Sequence, residues 1–250
     1  MSIVILTAIG VGAATVTGAI IGFIFKKISH AFSDIVMSFA AGIMLAAAIV
    51  GLIIPSFTDY GGKYAILVTI AGIFAGAAIV SVLDKIVPHV HNIGVSETEN
   101  KKSDTYHKVM LFVTAIAIHN LPEGIAAGVG FGTENIEQAL VIAGGIALQN
   151  IPEGMIIIAP MLSAGISLRK ALGYAMITGG FEVVGTFIGY FAATLSNAIL
   201  PFALAFAGGT MLYVISDEMI PETHAHGHER GATYALLIGF CVMLIMDYVI

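Results

Sequence analysis

Charge is what this chain lacks most. Only 10% of its 250 residues are charged, against 58% hydrophobic. A soluble domain carries roughly 25% charged residues. That shortage excludes a soluble enzyme, a nucleic-acid binder and a disordered chain, since too few charges remain to cover a water-facing surface. Tryptophan is absent, so any aromatic belt must use Tyr and Phe. A single cysteine, Cys241, excludes an intramolecular disulfide and a Cys-rich metal centre. What remains is long apolar sequence, with a mean hydropathy of +0.98. Sparse charge between long apolar runs predicts an all-α, polytopic membrane protein in a lipid bilayer.

Cutting the runs at charged clusters and turn residues predicts eight transmembrane helices, about 2–25, 33–55, 63–83, 107–131, 137–161, 171–195, 199–220 and 231–250. A β-barrel is excluded because the segments are too long and show no period of two. The first span does not read as a cleaved signal peptide, because Lys26 and Lys27 follow it rather than precede it. Nine of the ten basic residues then fall on one side, and only Lys63 on the other. The positive-inside rule places those nine in the cytoplasm and both termini outside. This is the expected topology of a multi-pass protein of the cell (cytoplasmic) membrane.

Two polar segments stand out. Residues 85–107 are expected to form a cytoplasmic loop holding His89, His91 and His107. PETHAHGHER, after the seventh span, holds His224, His226 and His228. Such tracts either bind metal weakly or are plain solvated loops.

Ionisable groups inside a bilayer cost several kcal/mol, so they are rare and mark function. Here they concentrate in mid-span. The fourth span carries His119, Asn120 and Glu123 in HNLPEG; the fifth carries Gln149, Asn150 and Glu153 in QNIPEG; the sixth carries Glu182. The two hexapeptides start thirty positions apart, in spans that run in opposite directions. They should therefore lie at similar depth, as at an inverted pseudo-twofold axis. His119 and Glu123 share a helix face at i and i+4, and so do Gln149 and Glu153. Pro122 and Pro152 should kink their helices beside these residues and free the carbonyls of Ile118 and Leu148. Imidazole with carboxylates suits a transition metal such as zinc, iron or manganese. Asn120 and Asn150 also fit a role in helix packing, and so does Met44. Asp217, Glu218 and Glu222 lie nearer the cytoplasmic end of the seventh span.

At these motifs the chain resembles the ZIP (Zrt/Irt-like) divalent metal transporter family, in its GufA-like bacterial branch. GAATVTGAIIG, SFAAGIMLAAAIVGLIIPS, HNLPEG, LQNIPEG, FEVVG and AGGTMLYVISDEMIPE follow the family's order over nearly the whole length. The resemblance implies an eight-helix, inverted-repeat (3+2+3) fold that carries zinc, or iron, manganese, cobalt or cadmium, into the cytosol. It implies His119, Glu123, Gln149, Glu153 and Met44 around one ion. A second ion would lie among Asn120, Glu123, Asn150, Glu153 and Glu182, as in the binuclear members. It also implies an exit near Asp217 and Glu218, continuing to Glu222 and His224; a homodimer; and movement of helices 1, 4, 5 and 6 against the rest. Asn150 and Gln149 replace an Asp and a His found in other members. Neutral amides are weaker ligands, so the first site has the stronger case.

Two other classes compete. One is an intramembrane zinc hydrolase with an activated water, although HExxH is absent. The other is a proton-coupled carrier of an organic solute, with the glutamates as proton relays.

Overall fold

The structure is a computed structural model that describes residues 1–25, 29–86, 101–133, 135–196 and 198–250, with the side chains of 86, 101–108, 111, 112 and 115 left aside. Among these residues there is no strand, and there are eight long helical segments. They are α1 (Ser2–Phe25), α2 (His30–Thr58), α3 (Ala65–Ile86), α4 (Lys101–Gly130), α5 (Ile136–Ser163), α6 (Leu168–Thr194), α7 (Leu200–Thr223) and α8 (Glu229–Val249). Among the described residues, α1, α2, α3, α5, α6, α7 and α8 are each apolar enough as well as long enough to cross a membrane. This is the all-α polytopic architecture expected from composition. Helices satisfy their own backbone groups, which a bilayer cannot do.

One expected loop is shorter than its polarity suggested. α3 continues through Ile86 and α4 already begins at Lys101, so both ends of segment 85–107 are helical. Lys, Ser and Asp in 101–104 end a hydropathy span but do not end a helix, because hydropathy and helix propensity are different quantities. His89 and His91 lie outside the described residues. His107 falls within α4, where only its backbone is described.

Helical structure continues through Pro122 in α4 and through Pro152 and Pro160 in α5. α2 and α7 share a different irregularity. Each widens into a π-helical stretch, Ala47–Ile53 and Ile215–Met219, just before Pro55 and Pro221. Such wide turns are rare and recur at functional sites. In both helices the widening follows a Gly-x-Met-Leu step, at Gly42–Leu45 and Gly209–Leu212. That match between the second and seventh helices is one an inverted repeat would leave.

Packing sorts the helices into two groups. α1, α4, α5 and α6 contact one another most extensively; so do α2, α3, α7 and α8. Within each group the backbones touch through glycine. A Cβ on Gly128 of α4 would strike the Thr186 carbonyl of α6, and one on Gly154 of α5 would strike that of Thr15 in α1. In the other group, Gly42 of α2 meets the Leu236 carbonyl of α8, and Gly76 of α3 meets that of Phe206 in α7. Small residues that let backbones approach are a usual means of association in lipid, where apolar side chains gain nothing by leaving their neighbours.

Between the groups the contacts change character. Gly145 of α5 faces the Met243 sulfur of α8, and Gly51 of α2 faces the Ile142 side chain of α5. Large apolar side chains are exposed along α1, α3, α6 and α8, including Leu6, Phe74, Ile177 and Ile245. These four helices form the lipid-facing layer, and the polar residues are held inside it.

Candidate metal-translocation site

α4, α5 and α6 bring the mid-span polar residues together. Asn120, Glu123, Gln149, Asn150, Glu153 and Glu182 are all buried. Glu182 is the hub. Its Oε1 accepts from Thr15 Oγ1 at 2.6 Å and from Asn120 Nδ2 at 2.5 Å; its Oε2 accepts from Asn150 Nδ2 at 2.7 Å. Four helices, α1, α4, α5 and α6, are thereby tied to one carboxylate. Asn150 Nδ2 also reaches the Val11 carbonyl at 3.3 Å. With their amide nitrogens held this way, Asn120 and Asn150 keep their Oδ1 atoms buried and without hydrogen-bond partners among the described residues.

More unmatched atoms accompany them. Glu123 Oε2 and both polar atoms of the Gln149 amide are buried with no well-formed hydrogen bond among the described residues, although the Gln149 amide lies close enough to the Glu123 carboxylate to favour its charge. The Glu123 carboxylate lies in Coulomb range of Glu153 and Glu182, and Glu153 in range of His119. An unmatched buried polar group costs roughly 1–3 kcal/mol, and more when charged. Leaving several such groups together, most of them oxygens, is tolerable where a cation or water is meant to sit among them.

His119 points elsewhere. Its Nε2 lies 2.7 Å from Glu218 Oε1 of α7 and 4.0 Å from Asp84 Oδ1 of α3. Among the described residues, Asp84, His119 and Glu218 form the one set of His, Cys, Asp or Glu side chains whose ligand atoms all lie within 4.8 Å of one another. The histidine comes from one helix group and both carboxylates from the other. Asp84 escaped the sequence reading because the third span was cut at 83, which turned the aspartate in SVLDKI into a loop residue. Thr15 escaped it too; its only signal was a hydroxyl amid the small residues of GAATVTG.

The remaining candidates disperse. Met44 is fully buried within the apolar core. Asp217 and Glu222 are exposed. His224 has both ring nitrogens occupied, Nδ1 by the Ile220 carbonyl at 2.9 Å and Nε2 by Thr233 Oγ1 at 3.1 Å. His226 contacts Asp34, and His228 borders a surface cleft.

A bundle of apolar helices that converges carboxylates, amides and an imidazole on its own interior defines a membrane carrier of cations. The comparisons with known proteins narrow that class. Residues 87–247 match the family described as ZIP Zinc transporter. The chain is 40% identical to the zinc transporter GufA of Myxococcus xanthus, over 78% of each chain. It is 34% identical to the zinc transporter ZIPB of Bordetella bronchiseptica, over 94% of this chain and 77% of that one. With the human zinc transporter ZIP11 it shares 31% identity over 93% of each. The chain therefore belongs to the ZIP family. It is not an enzyme, which sets aside the intramembrane hydrolase, and the family does not favour the organic-solute carrier.

Proposed function

We propose that this chain carries divalent transition-metal ions, zinc first among them, across the membrane into the cytosol by alternating access. The observation that carries this is the buried cluster of under-satisfied polar atoms, Asn120 Oδ1, Asn150 Oδ1 and Glu123 Oε2 with the neighbouring Gln149 amide, beside Glu153. In lipid those atoms call for a cation, and their mixture of carboxylate, amide and nearby imidazole suits the zinc-to-manganese range, with iron, cobalt and cadmium as further cargo. Glu123 and Glu153 are the central ligands. Gln149 supports the first ion, with His119 when it swings in and Met44 at its margin; Asn120, Asn150 and Glu182 would border a second, weaker one. Glu182 already accepts three hydrogen bonds, so its part is chiefly to orient the two asparagines.

The same geometry supplies a way out. His119 belongs to the glycine-joined group that holds the site, while Asp84 and Glu218 belong to the other group. The imidazole therefore reaches the ion at one stage and the exit carboxylates at the next. Asp217, Glu222 and His224 extend the exit towards the basic end of the molecule. At the opposite end a cleft of about 920 Å³ lies between the groups, with Asp59 on one side and Glu137 on the other. Two carboxylates at its rim would draw cations towards the site. Both termini face outside in this reading, and two copies form a homodimer.

Zinc uptake into proteoliposomes tests the proposal. Glu123→Ala and Glu153→Ala should each abolish saturable uptake while the protein still inserts and purifies normally. Wild-type zinc uptake in both variants would end it.

A further inference from the structure

A second group of side chains of metal-ligating type lies beside this route, at the basic end of α2. The sequence HAFSDIVMS places His30, Asp34 and Ser38 at successive i, i+4 positions, on one face of α2. Asp34 is only 3% exposed. His226, in the short connection between α7 and α8, sets its Nδ1 3.1 Å from Asp34 Oδ1. The His226 ring stacks on His30, with centroids 4.9 Å apart and planes 29° apart. Asp34 Oδ2 is buried without a hydrogen-bond partner among the described residues, and so is Ser38 Oγ one turn deeper. A single imidazole contact leaves half of a buried carboxylate unmatched, which is costly.

We propose that His30, Asp34 and His226 bind a divalent transition-metal ion of zinc's class, one that resides there and is not in transit. Two imidazoles and a carboxylate, with water in the fourth position, make a donor set that zinc and cobalt accept. Donors at about 2.1 Å from a tetrahedral ion stand roughly 3.4 Å apart, close to the 3.1 Å between Asp34 and His226. His30 is exposed and its ring lies against that of His226, so ligation asks of it only a rotation about its own side-chain bonds. A cleft of about 440 Å³, lined by Ala31, Ile35 and residues 227–231, lies next to these residues in the chain. α2, α7 and α8 belong to the same helix group. The ion therefore fastens the α7–α8 connection to α2 and bridges nothing that slides.

Cobalt(II) titration of the purified full-length protein in detergent tests the assignment. The background is His119→Ala/Glu123→Ala/Glu153→Ala, which removes cargo binding, so failure here is separable from failure of the transport proposal. That background should bind one equivalent of cobalt with the intense visible absorption of four-coordinate nitrogen and oxygen ligation. His30→Ala, His226→Ala and Asp34→Asn should each weaken binding at least about tenfold, and His228→Ala should not. Zinc should also slow hydrogen exchange over residues 224–228 in the parent and not in the His226→Ala variant. Should the triple background fail to fold, wild type and His30→Ala/His226→Ala must differ by one equivalent. The same cobalt spectrum and stoichiometry with and without the two histidines would overturn the proposal, as would an equal loss in His228→Ala.

Discussion

The joints inside each helix group and the joint between the groups are built from different materials. Inside, glycine brings backbone onto backbone, as at Gly128 with Thr186 and Gly76 with Phe206. Between them, flexible side chains do the touching: Met243 against Gly145, Ile142 against Gly51, Met246 near Gly144. Backbone carbonyls cannot give way, whereas methionine has three rotatable bonds and fills irregular gaps. The lesson is mechanical. The site residues on α4, α5 and α6 sit in a body held backbone to backbone, beside a surface whose touching side chains can repack. The polar contacts follow the same division. Thr15, Asn120, Asn150 and Glu182 stay within one body, and His119 alone among the site residues reaches across to Asp84 and Glu218.

The sharpest way to break this comparison is to add the same methyl group to each kind of joint. Gly128→Ala drives a Cβ into the Thr186 carbonyl, and the folded state should lose about 3 kcal/mol or more, read as loss of the monodisperse peak on size exclusion. In Gly145→Ala the Cβ would lie 2.6 Å from the Met243 sulfur, which can move aside. That variant should fold, because alanine favours a helix by about 1 kcal/mol over glycine. Its zinc uptake should slow up to about tenfold, a barrier increase near 1.4 kcal/mol. Equal destabilisation of the two variants would remove the distinction between the joints.

A smaller effect is expected at the cross-group contact. Asp84→Asn and Glu218→Gln should lower the maximal rate of uptake several-fold while leaving zinc binding at Glu123 and Glu153 intact in equilibrium counts. A fall in binding with no fall in rate would place these carboxylates in the resting site instead of the exit. The smallest effect belongs to a contact inside one body that never touches cargo. Ser56 and Thr69 hydroxyls meet at 2.8 Å between α2 and α3. Ser56→Ala should cost about 1 kcal/mol in thermal unfolding and leave uptake unchanged.

Most of the architecture was legible in the sequence because lipid leaves few alternatives. Twenty or so apolar residues between charges read as a span, and HNLPEG with QNIPEG read as a site because carboxylates in mid-membrane have few other uses. What escaped notice had a physical cause in each instance. The π-helical turns before Pro55 and Pro221 depend on backbone register, which hydropathy does not record. Asp84 was hidden by the act of cutting a span at its first charge. The orientation of His119 towards Glu218 could not be read, because i, i+4 spacing fixes a shared face and not the rotamer. Glu182 stood out in the sequence as a mid-span carboxylate, but its three donors were invisible, since Thr15 approaches from a helix 167 positions away in sequence. His30 and Asp34 drew no notice at all; their meaning depends on a loop nearly two hundred residues downstream folding back onto them.

The exposed apolar belt on α1, α3, α6 and α8 has one more implication. α1 and α6 belong to the body that holds the site, α3 and α8 to the other. Under the alternating access proposed above, a shift of one body along the membrane normal would move its own band of isoleucines and phenylalanines relative to the acyl chains while its neighbour's band stays level. Acyl-chain length then acts as an effector in its own right: a thicker or thinner bilayer favours whichever position matches it, at fractions of a kcal/mol per ångström of mismatch. Turnover should therefore respond to lipid composition even at constant ion concentration.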